Sequence, residues 1–252
     1  MCYNDPMQKE FRKFNKGGEL YWLLGLLFVS LGVALCAKAN LGVSMIAAPA
    51  FIIHEAIDGI APAFFTIGVV EYLVQAFFAL LLCAVVLKVK ISYALTIVVG
   101  VIYGSVLDMW LLILGPEPFD AVWVRYVMLI VGDIATAIGV ACFFRTYLPI
   151  QSYDIFVKDI SITYKLNINI VKPVYDFSLL AVSLVLAFTL FGDVKEFNWS
   201  EIYKTSFHSL GLGTLITTII NSPLITFIGK LCDKLMGTEP LLPKAKNFLE
   251  RH

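Results

Sequence analysis

Gly32-Val-Ala-Leu-Cys-Ala-Lys-Ala-Asn-Leu41 and Gly139-Val-Ala-Cys-Phe-Phe-Arg-Thr-Tyr-Leu148 share one pattern, in which Gly-Val-Ala leads through an apolar turn to a single cation and then to Leu. The shared pattern indicates an internal repeat. Because each copy is predicted to hold three membrane crossings, an odd number, the second copy must enter the bilayer from the opposite side. Inverted repeats of this kind are typical of membrane transporters.

The composition places the chain in a membrane. Of its 252 residues, 59% are hydrophobic and 15% are charged, and the mean hydropathy is +0.83. A water-soluble domain of this size carries much less apolar surface. We therefore expect an all-α integral membrane protein whose first partner is the lipid bilayer. The formal net charge is zero and no basic face is present, so no nucleic-acid partner is predicted.

Six segments are long and apolar enough to cross a hydrocarbon layer of about 30 Å as helices. Together they divide the chain into a cytoplasmic N-terminal segment (1–19), a first membrane repeat (20–115), a second and inverted repeat (116–235) and a cytoplasmic tail (236–252). The predicted spans cover residues 20–38, 63–87, 91–114, 122–146, 171–192 and 206–231.

Two further segments are too short or too polar to be crossings. The segment Gly42 to Pro62 is broken by Pro49, and Leu148 to Asn169 interleaves apolar residues with acids and a lysine. We expect the first to form a re-entrant or interfacial helix. The second is expected to form an amphipathic helix at the cytoplasmic face, partly inserted between the spans. Inversion places these two half-helices on opposite sides of the membrane.

The cations are grouped in alternate loops. If the six spans alternate in direction, four groups of lysine and arginine fall on one side, whereas loop 115–120 on the other side has none. The cation-rich side is cytoplasmic by the positive-inside rule, so both termini of this multi-pass protein are predicted in the cytoplasm. The four groups are Lys9, Arg12, Lys13 and Lys16; Lys88 and Lys90; Arg145, Lys158 and Lys165; and Lys230, Lys234, Lys244, Lys246 and Arg251.

The segment Gly32-Val-Ala-Leu-Cys-Ala-Lys-Ala-Asn-Leu-Gly-Val-Ser44 resembles the pattern G-x-A-L-x-x-x-A-x-L-G-x-S that ends the first helix in the YczE/YitT-like family of bacterial integral membrane proteins. Tyr-Gly-Ser-Val-Leu-Asp108 and Leu-Gly-Thr-Leu-Ile-Thr-Thr-Ile-Ile-Asn221 are similar to its third and sixth helices. In the second copy, Leu148-Pro149 replaces the usual Leu-Gly. The resemblance implies a six-helix protein of the bacterial plasma (inner) membrane. It implies no chemistry, because the family's activity is largely uncharacterised.

Acids inside the predicted spans are the first candidates for function. A charged group that faces lipid costs several kcal/mol, so such groups normally point at partners, water or substrate. We predict that Asp108 binds a proton or a cation, with Asn221 as its neutral pseudo-symmetric partner. The alternative is that neighbouring hydroxyls and Tyr103 satisfy the Asp108 carboxylate, which then holds helices together. The acids are Glu71, Asp108, Asp133 and Asp176.

Glu71 and Asp176 occupy matching places in the second and fifth spans, within Val70-Glu71-Tyr72 and Tyr175-Asp176-Phe177. Each is a candidate proton-binding or ion-binding group. Lys172 precedes Asp176 by four residues, so the two side chains share a helix face and are also expected to neutralise one another.

Glycines predict where the two copies meet. Gly25 and Gly32 on the first helix share a face, as do Gly132 and Gly139 on the fourth. Small residues in such stripes let membrane helices approach closely. Asp133 lies next to Gly132, so its expected role is in helix packing.

Lys38 and Arg145 end the first and fourth helices, where a cation faces the negative end of the helix dipole and can reach the interface. Alternatively, the two cations bound a cavity and attract an anion from either side. Four nearby side chains would then offer hydrogen bonds to the bound solute: Asn40, Ser44, Gln151 and Ser152.

The remaining motifs give little chemistry. His54, Glu55 and Asp58 offer three metal-type donors without a fourth, and a solvated loop face explains them better. The five cysteines are scattered without a metal or disulfide pattern. No catalytic motif is recognised, so neither an enzyme, a cofactor nor a metal is predicted.

The favoured function is secondary transport of a small polar or anionic solute, coupled to protons through Asp108 or Glu71. A non-transporting protein that binds a lipid or a partner and supports assembly of a biosynthetic or envelope complex is the alternative. A passive channel is less favoured, because no ring of like residues is present in one chain. The solute, the coupling ion and the oligomeric state, including a homodimer, are left open.

Overall fold

The computed structural model describes residues 18–58, 64–87, 90–115, 117–191 and 201–235. Within these ranges the chain forms eight α-helices and no β-strand. The predicted cytoplasmic ends, apart from residues 18 and 19, lie outside the described residues. The helices are α1 (Gly18–Ala39), α2 (Ala48–Ile57), α3 (Ile67–Val86), α4 (Ile91–Leu114), α5 (Val122–Phe143), α6 (Ser152–Thr163), α7 (Ile168–Leu190) and α8 (Leu212–Leu235).

Six of the helices, α1, α3, α4, α5, α7 and α8, are long and apolar enough to cross a membrane. The predicted all-α membrane fold is therefore confirmed. The largest difference in boundaries is at the sixth span, which was expected to begin at residue 206 but begins at Leu212. Phe207 and Leu210 bond each other's backbone in a tight turn, and His208 and Ser209 within it have positive φ angles. Such a turn is incompatible with a helix.

The order of the elements repeats along the chain: a long helix, a short helix and two long helices, twice over. We call the end of the bundle where α1 begins the first end, and the end where α1 finishes the second end. At the first end, the Thr146 hydroxyl donates a 2.8 Å hydrogen bond to the Gly18 carbonyl. At the second end, the Ser206 hydroxyl donates a 2.8 Å hydrogen bond to the Asn40 side chain.

Helices α1 and α5 meet along glycines, as the sequence predicts. A Cβ atom on Gly32 would lie only 2.5 Å from the carbonyl oxygen of Gly132. A Cβ atom on Gly139 would lie 2.8 Å from the carbonyl oxygen of Gly25. Real Cβ atoms do not approach backbone this closely, so the contact depends on glycine at these positions.

The short helices lie at opposite ends of the bundle, and each begins inside it. In α2, residues 48–52 are buried, whereas Glu55 and Asp58 are exposed at the second end. In α6, residues 152–157 are all buried, whereas Thr163 is exposed at the first end. Helix α2 packs against α3 and α7, and α6 packs against the same two helices.

Helix α6 lies partly between the spans, as expected, and its polar residues are buried more deeply than those of an amphipathic helix at the cytoplasmic face. Its Ser152 hydroxyl donates a 3.1 Å hydrogen bond to Thr96 within α4. The preceding loop is fixed by Trp22 of α1, whose indole N–H donates a 2.8 Å hydrogen bond to the Pro149 carbonyl. The polar residues of α6 therefore contact other helices where the sequence pattern had suggested water.

Candidate functional site

Buried polar and charged side chains gather where α6 packs between α3 and α7. Helix α3 contributes one acid, α6 contributes a tyrosine and an acid, and α7 contributes a lysine, a tyrosine and an acid. Each side chain belongs to a residue that is less than one-tenth exposed. We call this group the interior cluster, and its members are Glu71, Tyr153, Asp154, Lys172, Tyr175 and Asp176.

Lys172 lies between two aspartates. Its Nζ atom is 3.6 Å from Oδ1 of Asp176, one turn along α7, and 4.0 Å from Oδ1 of Asp154 on α6. The ion pair with Asp176 agrees with the expected neutralisation, whereas the sequence did not indicate Asp154 as a partner. The Ser222 hydroxyl of α8 lies 3.5 Å from the other oxygen of Asp176. Lys172 thus connects the interior half of α6 electrostatically to α7.

Glu71 occupies the α3 side of the cluster and is 1% exposed. Tyr153 of α6 and Gln75, one turn along α3, lie beside its carboxylate. Among the described residues, Glu71 Oε2, the Tyr153 hydroxyl and both polar atoms of the Gln75 amide have no hydrogen-bond partner. Buried polar atoms are normally paired, so this part of the cluster has unused capacity for a ligand, a proton or water.

The cluster holds more carboxyl groups than cations. Glu71, Asp154 and Asp176 face a single ammonium, that of Lys172. Uncompensated charge in an apolar interior is costly, so a proton or a bound cation must offset the excess. In α6, which is not a spanning helix, burial raises the pKa of Asp154 to about 6; the Lys172 ammonium opposes this rise and the Asp176 carboxylate adds to it.

Aromatic rings hold the two tyrosines in place. The Phe78 ring of α3 packs edge-on against Tyr153, with ring centres 5.2 Å apart. The Phe156 ring of α6 stacks on Tyr175 at the same centre-to-centre distance of 5.2 Å. Both hydroxyls are therefore positioned by packing, although neither has a hydrogen-bond partner in the described part of the chain.

Asp108 lies near the second end of the bundle, apart from Lys172. The Thr66 hydroxyl donates a 2.6 Å hydrogen bond to its Oδ2, and the Gly68 backbone N–H donates a 2.8 Å hydrogen bond to its Oδ1. The carboxylate therefore binds the start of α3, where unpaired N–H groups favour an anion. These contacts match the expected helix-holding alternative, with Thr66 and Gly68 in place of Tyr103. Proton binding by Asp108 stays a prediction.

Asn221 does not share the surroundings of Asp108. It is 1% exposed in α8, and its side-chain oxygen has no hydrogen-bond partner among the described residues. Asp108, by contrast, is only partly buried and accepts two hydrogen bonds. The predicted pseudo-symmetric pairing of the two residues is therefore not visible in their contacts.

A cavity of about 360 Å³ opens at the second end, between the end of α1 and the exposed end of α2. It brings together the predicted residues Lys38 and Asn40 with Glu55 and Ser206. Glu55 is held by the His208 ring, whose Nδ1 lies 2.7 Å from Oε1. The volume is in the range of small-ligand pockets, so this cavity is a candidate entrance for a solute.

Arg145 lies at the first end and does not line this cavity. Its guanidinium donates a 2.7 Å hydrogen bond to the Ala141 carbonyl and another to the Gly229 carbonyl of α8. These contacts cap the end of α5, as the first of the two alternatives predicts. The two cations therefore lie at opposite ends of the bundle.

Three other predicted binding residues are buried where the short helices begin. Ser44 precedes α2, and its carbonyl accepts hydrogen bonds from the Ala47 and Ala48 N–H groups. Gln151 caps α6 in the same way through its carbonyl, and its side-chain nitrogen has no partner among the described residues. Ser152 is the first residue of α6.

Sequence reasoning found Glu71 and Asp176 but missed the contribution of α6. Asp154 and Tyr153 fall in a segment that suggested an amphipathic helix only partly inserted between the spans, so neither residue was named as a candidate. The i, i+4 spacing of Lys172 and Asp176 was the one available signal. In the described ranges, no group of three or more His, Cys, Asp or Glu side chains is arranged to hold a metal ion.

The chain belongs to a family of unknown function, DUF6198, whose family model matches residues 18–230. The match covers all eight helices except the last residues of α8. No curated protein and no solved structure shows a significant match to the chain. The resemblance to YczE/YitT-like proteins stays a prediction beside this family assignment.

Proposed function

We propose that this protein is a proton-coupled secondary transporter of a small polar or anionic solute, and not an enzyme. The observation that carries the proposal is the pair of short helices, α2 and α6, which enter from opposite ends and begin inside the bundle. Half-helices that begin near the membrane midplane are a recurring way to build solute sites in secondary transporters. The positive end of a helix dipole attracts anionic or polar groups.

The repeated order of elements supports an inverted arrangement. Helix α2 of the first half packs against α7 of the second, and α6 of the second half packs against α3 of the first. Each half-helix is thus held by a spanning helix of the other half, while α1 and α5, the first helices of the two halves, meet along glycines. Rocking of one repeat against the other would open the interior alternately to each end.

The interior cluster supports coupling to protons. A protein that only binds a lipid or a partner has no need for three buried carboxyl groups, which are expensive to place in an apolar interior. A transporter uses such groups to bind and release protons during its cycle. The excess of carboxyl groups over ammonium groups also favours a proton or a cation, rather than an anion, at this point of the pathway.

We also propose that the first end faces the cytoplasm of a bacterial cell, with the protein in the inner membrane. Lys90, Arg145 and Lys165 lie at this end, in agreement with the positive-inside rule.

Single cysteines test the arrangement at two exposed sites, Asp58 at the end of α2 and Thr163 at the end of α6. In a background without other reactive cysteines, an impermeant maleimide added to whole cells should label the Asp58→Cys variant and not the Thr163→Cys variant. Labelling of both would contradict the inverted arrangement.

The function itself is tested in two steps on the purified full chain. A thermal-shift screen against small metabolites and lipids finds molecules that bind the folded protein, because such ligands raise its stability. Each soluble hit is then offered to liposomes that contain the protein and carry a pH gradient. Accumulation that requires both protein and gradient supports the proposal.

A matched pair of variants tests whether the interior cluster takes part in proton-coupled transport. Glu71→Gln removes one of the three carboxyl groups of the interior cluster and should reduce gradient-driven accumulation while the protein stays folded, whereas Glu201→Gln, an exposed loop change, should leave it unaltered. If only lipids stabilise the protein and no soluble hit accumulates, transport is wrong and the lipid-binding or partner-binding alternative takes its place.

A further inference from the structure

Asp154, Lys172 and Asp176 form a charged triad that joins α6 to α7 within the interior cluster. Lys172 is only 5% exposed, and its ammonium lies 3.6 Å from one aspartate and 4.0 Å from the other. No hydrogen bond reaches Lys172 Nζ, Asp154 Oδ1 or Asp176 Oδ1 from any described residue. The ammonium is therefore shared between two carboxyl groups and is bound closely by neither.

A second observation points to a ligand at this place. The Tyr175 hydroxyl is buried, has no partner in the described part of the chain, and lies within electrostatic range of both aspartates. Asn221 of α8, one residue before the Ser222 that contacts Asp176, likewise presents an unpaired buried oxygen. The triad and the adjoining Tyr175 hydroxyl thus hold polar atoms that no described residue uses.

We propose that the Asp154–Lys172–Asp176 triad is the coupling site of the transporter and that its ligand is a single proton, which binds to the Asp154 carboxylate. This inference rests on the proposed transport function. When Asp154 is ionised, Lys172 attracts it and ties the buried half of α6 to α7. When Asp154 takes up a proton, its attraction for Lys172 is lost and the ammonium pairs with Asp176 on its own helix. The tie between α6 and α7 is then released, and α6 can shift.

The charges around Asp154 set the direction in which each variant acts. Lys172 favours the ionised form and Asp176 disfavours it, while burial disfavours it most. Tyr103 of α4 and Tyr175 of α7 also interact with Asp154, and Lys158 follows it one turn later on α6. Glu71 of α3 reaches this group through Tyr153, the residue before Asp154.

Infrared difference spectroscopy tests proton binding directly on the full chain in liposomes. The carbonyl stretch of a protonated carboxyl group should appear as the pH is lowered from neutral, and Asp154→Asn should remove it. Asp176→Asn should move its midpoint to lower pH, because a neighbouring negative charge is lost. Lys172→Gln should move the midpoint to higher pH, because the nearby positive charge is lost. A merely structural role would not produce shifts of opposite sign.

The control is an Asp→Asn substitution at a second aspartate of α6. Asp159 is bound at 2.7 Å by the Lys90 ammonium at the first end, so Asp159→Asn should leave the band unaltered. A band that persists in Asp154→Asn overturns the assignment. Loss of the band in Asp108→Asn instead would show that the proton binds Asp108, near the second end. Loss of the band on adding sodium ions at constant pH would show that the site binds an alkali cation, which contradicts the assignment of a proton.

Transport measurements separate this inference from the proposed function. In liposomes, Asp154→Asn should lose gradient-driven accumulation but keep exchange of solute for solute, which needs no net proton movement. Loss of both, with normal helix content, would show that Asp154 does more than bind the coupling proton. If the wild-type protein moves no solute at all, the transport proposal fails, and the infrared titration alone decides whether Asp154 binds a proton.

Discussion

Helices α2 and α6 follow the same kind of path from opposite ends of the bundle, but they carry different side chains into its interior. The buried half of α2 is apolar, with Pro49, Phe51 and Ile52. The buried half of α6 holds Tyr153 and Asp154 and faces charged residues of α7. A shared backbone arrangement therefore does not imply shared chemistry. In the proposed coupling site α6 carries the proton-binding group, whereas the exposed end of α2, with Glu55, lines the second-end cavity.

The glycine contact between α1 and α5 joins the two halves of the bundle, so breaking it should have the largest effect. We expect Gly32→Leu to abolish folding, because even a Cβ atom there would lie 2.5 Å from the Gly132 carbonyl oxygen. Fluorescence-detected size-exclusion chromatography of the expressed protein measures the loss. Val131→Leu adds bulk on the exposed face of α5 and should leave a single folded peak. A folded Gly32→Leu protein would mean that the helices can separate without loss of the fold.

Removal of Lys172 should damage only the α6 half. Lys172→Met leaves two carboxyl groups without a cation and should cost about 3–5 kcal/mol of unfolding free energy at pH 7.5. The cost should be smaller at pH 5, because burial holds the Asp154 pKa near 6 and a proton then neutralises the carboxylate. Unfolding by SDS titration at both pH values measures the difference. An equal cost at both values would contradict protonation of the cluster.

The sequence was sufficient for the spans because each is a long apolar run whose helical state the bilayer enforces. It was sufficient for the glycine contact, since only small residues permit it. It was insufficient for α6, because its composition suits a water-exposed helix as well as one whose polar groups meet charged partners. Asp154 becomes interpretable only when the fold places Lys172 beside it.

The loop that leads into α6 offers a smaller and more local test of the comparison. Trp22→Phe removes the hydrogen bond to the Pro149 carbonyl and should cost about 1 kcal/mol. Hydrogen exchange should then speed up in residues 152–157 of α6 and stay unaltered in residues 48–52 of α2. Trp123→Phe, on an exposed ring, is the control. Faster exchange in both short helices would mean that they open together.

The smallest effect is expected at the exposed end of α2. Glu55→Gln weakens its contact with His208, but the Glu55 side chain is 44% exposed, so water replaces much of what is lost. We expect a cost below about 1 kcal/mol, since solvent-exposed ion pairs contribute little to stability. The SDS titration used for Lys172→Met provides the measurement under identical conditions. A cost for Glu55→Gln comparable to that for Lys172→Met would show that both short helices depend on charge, and the chemical contrast between them would not hold. A small cost would leave the buried charge of the α6 half as the feature that separates the two.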